Sequence, residues 1–254
     1  DSLEPRIHEE ADVYAPVQVP FLGKLPLLSG APCLTEDPDP MVAESIRMVR
    51  TALLRRLGAS GGKVVLITSS VSRAGKTSVA VLLTRSLAKL GKKTLLVEAD
   101  LRRPSIADRM GFVADFGLAA VLTGTIEAEE VIVSTPIANL DVLPAGSRPS
   151  NFDFELLANG AFGSCLKRWR ESYDFIVLDS PPVFPVADAR ILATQVDGTI
   201  MVLRSAHCRR TDVFQAYTDL IAGGGKVVGT VFIGANSEAV YGDYAEGRQY
   251  LETV

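Results

Sequence analysis

Ser69-Ser70-Val71-Ser72-Arg73-Ala74-Gly75-Lys76-Thr77-Ser78 is the stretch of this chain whose residue types and spacing point most directly to chemistry. It follows an apolar run ending at Ile67 and precedes a helix-like segment from Ser78 to Leu90. Strand, turn, Gly-Lys-Thr and helix is the layout of a phosphate-binding loop. Backbone N–H groups at a helix start hold phosphate oxygens, and the helix dipole adds to the hold. In that layout Lys76 reaches the outer phosphates and the Thr77 hydroxyl ligates Mg2+. The loop departs from G-x-x-x-x-G-K-[ST] at its first position, where Ser70 replaces Gly.

Two further apolar runs end in acids. Thr94 to Asp100 ends in Glu98 and Asp100, followed by Arg102 and Arg103; Asp174 to Pro182 contains Asp179 before Ser-Pro-Pro. Taken singly, Glu98 and Asp100 also read as a capping or surface acid pair, and Asp179 as a turn acid. Ligands of open parallel sheets bind outside the carboxyl ends of the strands. Three successive strands ending in a phosphate loop, an acid pair and an aspartate supply what MgATP or MgGTP needs: amides, a lysine, a hydroxyl and carboxylates for the metal.

The elements that position these residues follow from the pattern. Residues 41–57 read as a helix, with Ile46, Val49 and Leu53 on one face. Glu44, Arg47 and Arg50 form a neighbouring charged stripe, which on helix physics alone is a solvated face with intrahelical ion pairs. From Lys63 onward, apolar strands (63–68, 94–100, 140–143, 174–182, 198–204 and 226–233) alternate with helical segments. The helical segments are 78–90, 104–110, 117–122, 162–171, 187–196 and 209–222. Strands without period-two alternation, separated by helices, predict an α/β fold: a mostly parallel central sheet with helices on both faces. Residues 1–40 hold seven of the fourteen prolines and read as an irregular arm, with an apolar island, Phe21 to Leu28, that docks on the domain. The expected organisation is a Pro-rich arm over 1–40, a nucleotide-binding domain over 41–233 and a flexible tail over 234–254.

Composition narrows the function classes. With 254 residues and 47% hydrophobic content, a large core is available. A net charge of −4 argues against a nucleic-acid binder. Cys33, Cys165 and Cys208 lack metal-binding spacing and read as free thiols. No apolar run reaches membrane-spanning length. The chain begins at Asp1 rather than Met, which reads as a fragment of a longer protein.

With these residues in view, the sequence resembles the bacterial tyrosine kinases. Val97-Glu-Ala-Asp-Leu-Arg-Arg-Pro104 is similar to the family's second acidic (Walker A′) motif, and Phe175-Ile-Val-Leu-Asp-Ser-Pro-Pro182 to its Walker B motif. Glu44 to Arg50 matches the family's E-x-x-R-x-x-R segment, and Tyr241, Tyr244 and Tyr250 resemble its C-terminal tyrosine cluster. The resemblance extends over residues 15–254. It implies a P-loop NTPase architecture of the MinD/ParA type. It also implies an ATP- and Mg2+-dependent protein-tyrosine kinase that phosphorylates its own tail in trans and regulates exopolysaccharide or capsule synthesis and export. Ser72, Arg73, Ala74, Gly75, Lys76, Thr77 and Ser78 would bind ATP. Thr77, Asp100 and Asp179 would position the metal, directly or through water. Lys76, Glu98 and Asp100 would be catalytic, Glu98 standing where the family has the aspartate implicated in accepting the phenolic proton. Glu44, Arg47 and Arg50 would join copies into a ring. The resemblance further implies a membrane chain-length regulator or activator, in the same or a separate chain, a tyrosine phosphatase, and a cytoplasmic position tethered to the bacterial inner membrane.

The chain departs from the family pattern in places. Ser72-Arg73-Ala74 replaces the usual Pro-Gly-Glu, so Arg73 is strained if its position needs a positive φ. Glu98 is one methylene longer than aspartate. Ile233 stands where relatives often have an asparagine that reads adenine. These departures keep open a second reading, a nucleotide-binding assembly module that transfers no phosphate. A third, a MinD/ParA-like ATPase, is disfavoured by Val71, which occupies the place of that branch's additional loop lysine.

Overall fold

The computed structural model describes residues 5–9, 12, 19–28, 30, 37–59, 61–149, 151–158 and 160–235. In chain order the strands are β1 (Phe21–Pro26), β2 (Lys63–Thr68), β3 (Thr94–Glu98), β4 (Val133–Ser134), β5 (Leu140–Leu143), β6 (Phe175–Asp179), β7 (Gly198–Arg204) and β8 (Val227–Ala235). The helices are α1 (Pro40–Leu57), α2 (Lys76–Lys89), α3 (Ile106–Met110), α4 (Leu118–Leu122), α5 (Ala128–Val131), α6 (Gly160–Ser172), α7 (Asp188–Ala193) and α8 (Arg210–Ala222), with one 3-10 turn at Phe154–Leu157.

The strands form a single eight-stranded sheet in the order β1-β8-β7-β2-β6-β3-β5-β4. Every neighbouring pair is parallel except β4 with β5. β2, β6 and β3 lie side by side at its centre. Both faces of these strands are covered, which is why their sequences read as unbroken apolar runs. Val64 and Leu66 of β2 join the core beneath α4, α6, α7 and α8, including Phe162, Trp169, Leu192 and Val213. Val65 and Ile67 turn to the other core, with Ile46, Val49 and Leu53 of α1 and Val79, Leu83 and Leu87 of α2.

Local chemistry sets the helix ends. Asp39 caps α1 by accepting the Met41 amide at 2.8 Å, Pro40 occupies the first turn, and Gly58 ends the helix with Arg55 and Arg56 in the last turn. Gly75 starts α2 with φ of 99° and no side-chain cap.

The apolar island in the arm is a strand. β1 pairs parallel with β8 and forms one edge of the sheet, burying Leu22 and Leu25. Two register shifts break its alternation, so a period-two pattern is absent from the sequence. Gly23 lets α1 sit directly on β1, since a Cβ there would meet Val49 Cγ2 at 2.7 Å. Residues 5–9 also dock: the buried Ile7 exchanges backbone bonds with the loop after β7, through Cys208 O at 2.9 Å and the Ala206 amide at 2.8 Å. β3 ends at Glu98 and β6 at Asp179, short of the ends expected from hydrophobicity, whereas β8 continues past Ile233 to Ala235.

Candidate nucleotide site

The loop after β2 wraps into the start of α2. Arg73 has φ of 61°, in the left-handed region that a Cβ disfavours, and Gly75 follows at 99°. The strain expected at Arg73 is therefore present. Two groups at and just beyond the end of β7 fasten the outer turn. Arg204 Nη1 donates to the Arg73 carbonyl at 3.2 Å, and His207 Nε2 lies 2.8 Å from the Ser72 carbonyl oxygen. Ser72 and Arg73 are exposed, and Ala74 is buried. Ser70, at the position of the missing first glycine, is wholly buried with its hydroxyl against Cys208. The first intrahelical amide bond of α2 is Val79 N to Gly75 O at 3.0 Å, which leaves the preceding amides at the open helix start.

Lys76 is 8% exposed. Burial pulls its ammonium below the ordinary lysine range, against the opposing pull of Asp179 and Asp100. Asp179, at the end of β6, is 1% exposed, and burial pushes its carboxyl up to about 7. The neighbouring Thr77 hydroxyl and Lys76 charge work in the other direction. Asp179 Oδ1 has no hydrogen-bond partner among the described residues. A buried, unpartnered carboxylate oxygen costs free energy unless something completes its shell. A hard divalent cation is well suited to an oxygen set of Asp179, the Thr77 hydroxyl and Asp100, with phosphate oxygens and water supplying the rest. Among the described residues no group of three or more His, Cys, Asp or Glu side chains is placed to hold a metal ion.

Asp100 lies just beyond β3. Burial raises its carboxyl above the usual range, while the Arg103 amide, donating to Oδ1 at 3.1 Å, and the Lys76 charge lower it. Glu98 is 1% exposed, and its carboxylate is occupied. Oε1 accepts the amides of Ser105 and Ile106, the latter at 2.6 Å, and Oε2 accepts that of Ala145 at 3.1 Å. It caps the start of α3 and ties that segment to the end of β5. With both oxygens engaged by main-chain amides, this geometry does not offer Glu98 as a proton acceptor; it supports the capping role instead.

Three residues near the site carried no role in the sequence reading. Asp188, at the start of α7, holds Arg102 in a two-pronged pair at 2.8 and 3.1 Å. Arg109 Nη1 donates to Ser78 Oγ at 3.3 Å, beside the helix start. Arg204 is the last residue of β7, and the strand-end rule that singled out Asp179 applies to it equally. On α1, Glu44 and Arg47 form an ion pair at 2.8 Å. Arg50 turns inward, with Nη1 donating to Ser86 O at 2.8 Å and Ser86 Oγ at 3.1 Å. Tyr241, Tyr244 and Tyr250 lie outside the described residues.

Known proteins resemble this chain in sequence and in fold. The AAA domain family matches residues 62–209, more than half the chain. The tyrosine-protein kinase CpsD of Streptococcus agalactiae is 31% identical over 79% of this chain and 87% of its own length. The crystal structure of the chimerical protein CapA2B2 superposes with a TM-score of 0.82 at 28% identity, covering 90% of this chain and all (100%) of that one. The Pyrococcus furiosus cell division ATPase MinD has a TM-score of 0.60 at 26% identity, covering 75% of this chain and 80% of that one.

Proposed function

The chain belongs to the bacterial tyrosine-protein kinases, and from that premise we infer that it transfers the γ-phosphoryl group of ATP to protein tyrosines. The observation that carries this reading to particular residues is the unpartnered, buried Asp179 oxygen beside Lys76 and Thr77 at the open start of α2. The amides of that helix start and Lys76 hold the phosphates. Thr77 and Asp179 would hold Mg2+, with Asp100 behind them. The metal would supply positive charge that offsets the negative charge developing on the transferring phosphoryl group.

In the transfer, the phenol oxygen bonds to the γ-phosphorus. The bond from that phosphorus to the bridging oxygen breaks, and its electron pair leaves on ADP. The phenolic proton leaves late, as a loose transition state allows, and Asp100 is the nearby carboxylate to receive it. The chain's contribution is positioning and charge stabilisation.

The acceptors are Tyr241, Tyr244 and Tyr250 of a second copy, brought together in a ring through the α1 stripe of Glu44, Arg47 and Arg50. The role is regulation of exopolysaccharide or capsule synthesis at the cytoplasmic side of the membrane, alongside a membrane-embedded chain-length regulator, with a tyrosine phosphatase reversing the modification. Among the described residues no helix is long and apolar enough to cross a membrane.

Mass spectrometry of the purified chain after incubation with MgATP, beside Lys76→Met, tests the reading. Phosphotyrosine on the tail, absent from Lys76→Met, is the expected result; label persisting in that variant would rule out this site. The strained Arg73 and the occupied Glu98 favour the second reading, an assembly module gated by nucleotide. Retained ATP binding with no label in either protein would establish it.

A further inference from the structure

Each tail tyrosine has an acid two positions after it: Asp243 after Tyr241, Glu246 after Tyr244 and Glu252 after Tyr250. Tyr14 and Tyr173 have Pro16 and Phe175 at that place, and the Asp219 that follows Tyr217 lies inside α8. In an extended segment, side chains two apart project to the same side, roughly 7 Å from each other. A tyrosine entering a pocket in extended form therefore brings its following carboxylate to the pocket's rim.

Beside the acidic end of β3 there is a cavity of about 420 Å³ whose wall includes Glu98, Arg102, Phe112, Val113 and Arg148. That volume accepts a phenol ring with room for its neighbours. Val113, 88% exposed, forms an apolar lip. The basic side of the wall is built on one aromatic ring. Arg102 stacks on Phe154 at 3.6 Å, and Arg148 lies over the same ring at 5.2 Å. Asp188 already balances Arg102. Arg148 is exposed and donates Nε to the Leu101 carbonyl at 3.2 Å, leaving its Nη groups uncommitted among the described residues. Of the acids in the wall, Glu98 is bound by amides, and Asp108 is exposed on α3.

We propose that this cavity receives the acceptor tyrosine and that Arg148 reads the carboxylate two residues after it, so that the acceptor motif is Tyr-x-Asp/Glu. The proposal rests on the kinase reading above. It accounts for the recurrence of one spacing at three tail positions, and it makes Arg148 a specificity residue rather than a part of the phosphate site. A guanidinium with two outer nitrogens suits a carboxylate, and a lysine at the same acceptor position would be repelled.

The experiment mixes two forms of the whole chain. The donor carries Tyr241→Phe, Tyr244→Phe and Tyr250→Phe, so it cannot label its own tail. The acceptor carries Lys76→Met and either the native tail or Asp243→Lys, Glu246→Lys and Glu252→Lys. Initial rates of tail phosphorylation are read by mass spectrometry. The native acceptor should be labelled about tenfold faster than the lysine acceptor. That ratio should collapse towards one with an Arg148→Gln donor and invert with an Arg148→Glu donor. Equal labelling of both acceptors, or a ratio that Arg148→Glu leaves in place, overturns the proposal while the kinase reading stands. No labelling of the native acceptor, with MgATP still bound, overturns both.

Discussion

Glu98 Oε2 accepts the Ala145 amide at 3.1 Å, joining the end of β3 to a segment 47 residues further along the chain. Its other oxygen caps α3 through Ser105 and Ile106. Removing the carboxylate orphans three main-chain donors, two of them in fully buried surroundings. Glu98→Ala should therefore lower stability by about 3 kcal/mol, read as the shift in a urea unfolding curve. MgADP affinity in the folded protein should change far less, since Glu98 holds the wall of the acceptor cavity rather than the phosphates. A variant as stable as the parent but unable to transfer phosphate would return Glu98 to the role of catalytic base.

Gly75 and Ile233 meet at the turn into α2. A Cβ on Gly75 would lie 2.5 Å from Ile233 Cδ1, and the backbone φ is 99°. Gly75→Ala thus faces both a steric overlap and a left-handed conformation costing about 1–2 kcal/mol. It should weaken MgATP binding, measured by calorimetry, by at least about tenfold, because strain at this residue displaces the amides beside it. Adding Ile233→Ala removes the overlap but leaves the φ, so it should restore binding in part. Full restoration would show that contact with Ile233, and not backbone conformation, dictates glycine here.

Arg47 and Arg50 share one helix stripe but sit differently. Arg47 is exposed and paired with Glu44, whereas Arg50 is partly buried on Ser86 of α2. An exposed pair of this kind contributes roughly 0–1 kcal/mol to the monomer. Arg47→Ala should therefore leave thermal stability nearly unchanged yet reduce the assembly seen by sedimentation velocity in the presence of MgATP. Arg50→Ala should also lower the melting temperature, since it vacates a half-buried site. Unchanged sedimentation of Arg47→Ala would remove that side chain from the proposed ring contact.

The parts legible in the sequence share a physical cause. Lys63–Thr68, Thr94–Glu98 and Phe175–Asp179 are buried on both faces, so each reads as an apolar block, and the polar residue that ends it stands out. Asp179 was visible for that reason. β1 was hidden because bulges break its period and Pro26 ends it. β4 has two residues, too few to form a pattern. The role of Glu98 could not be chosen from sequence, because a strand-end acid is equally a base, a metal support or a cap. The choice depends on the Ala145 amide, whose arrival is a property of the sheet order and not of any local spacing. Asp188 carries no signal in the sequence, because its role comes from Arg102, 86 residues away in the chain.

Tyr173 offers a test of the fold's electrostatics away from the nucleotide. Its ring is 9% exposed, and its hydroxyl donates to Asp141 Oδ2 at 3.0 Å. Burial, then the hydrogen bond to Asp141 and its negative charge, hold the phenol above the usual tyrosine range. The folded chain thus keeps this proton at a pH where the unfolded chain releases it, near pH 10. Where the folded state binds more protons, stability falls as pH rises. The contribution is complete below about pH 10 and is lost as pH climbs towards the higher folded value. Tyr173→Phe keeps the ring and the Lys93 ammonium 5.2 Å above it, but removes the hydroxyl. At pH 8 the variant should be less stable by about 1.5–3 kcal/mol, the worth of a hydrogen bond to a charged acceptor. Between pH 9 and 11 the gap should narrow, because the parent loses stability that the variant never had. Parallel urea titrations of the two proteins at each pH read the difference directly. A gap that stays constant to pH 11 would mean that the Tyr173 proton is bound no more tightly in the folded chain than in the unfolded one.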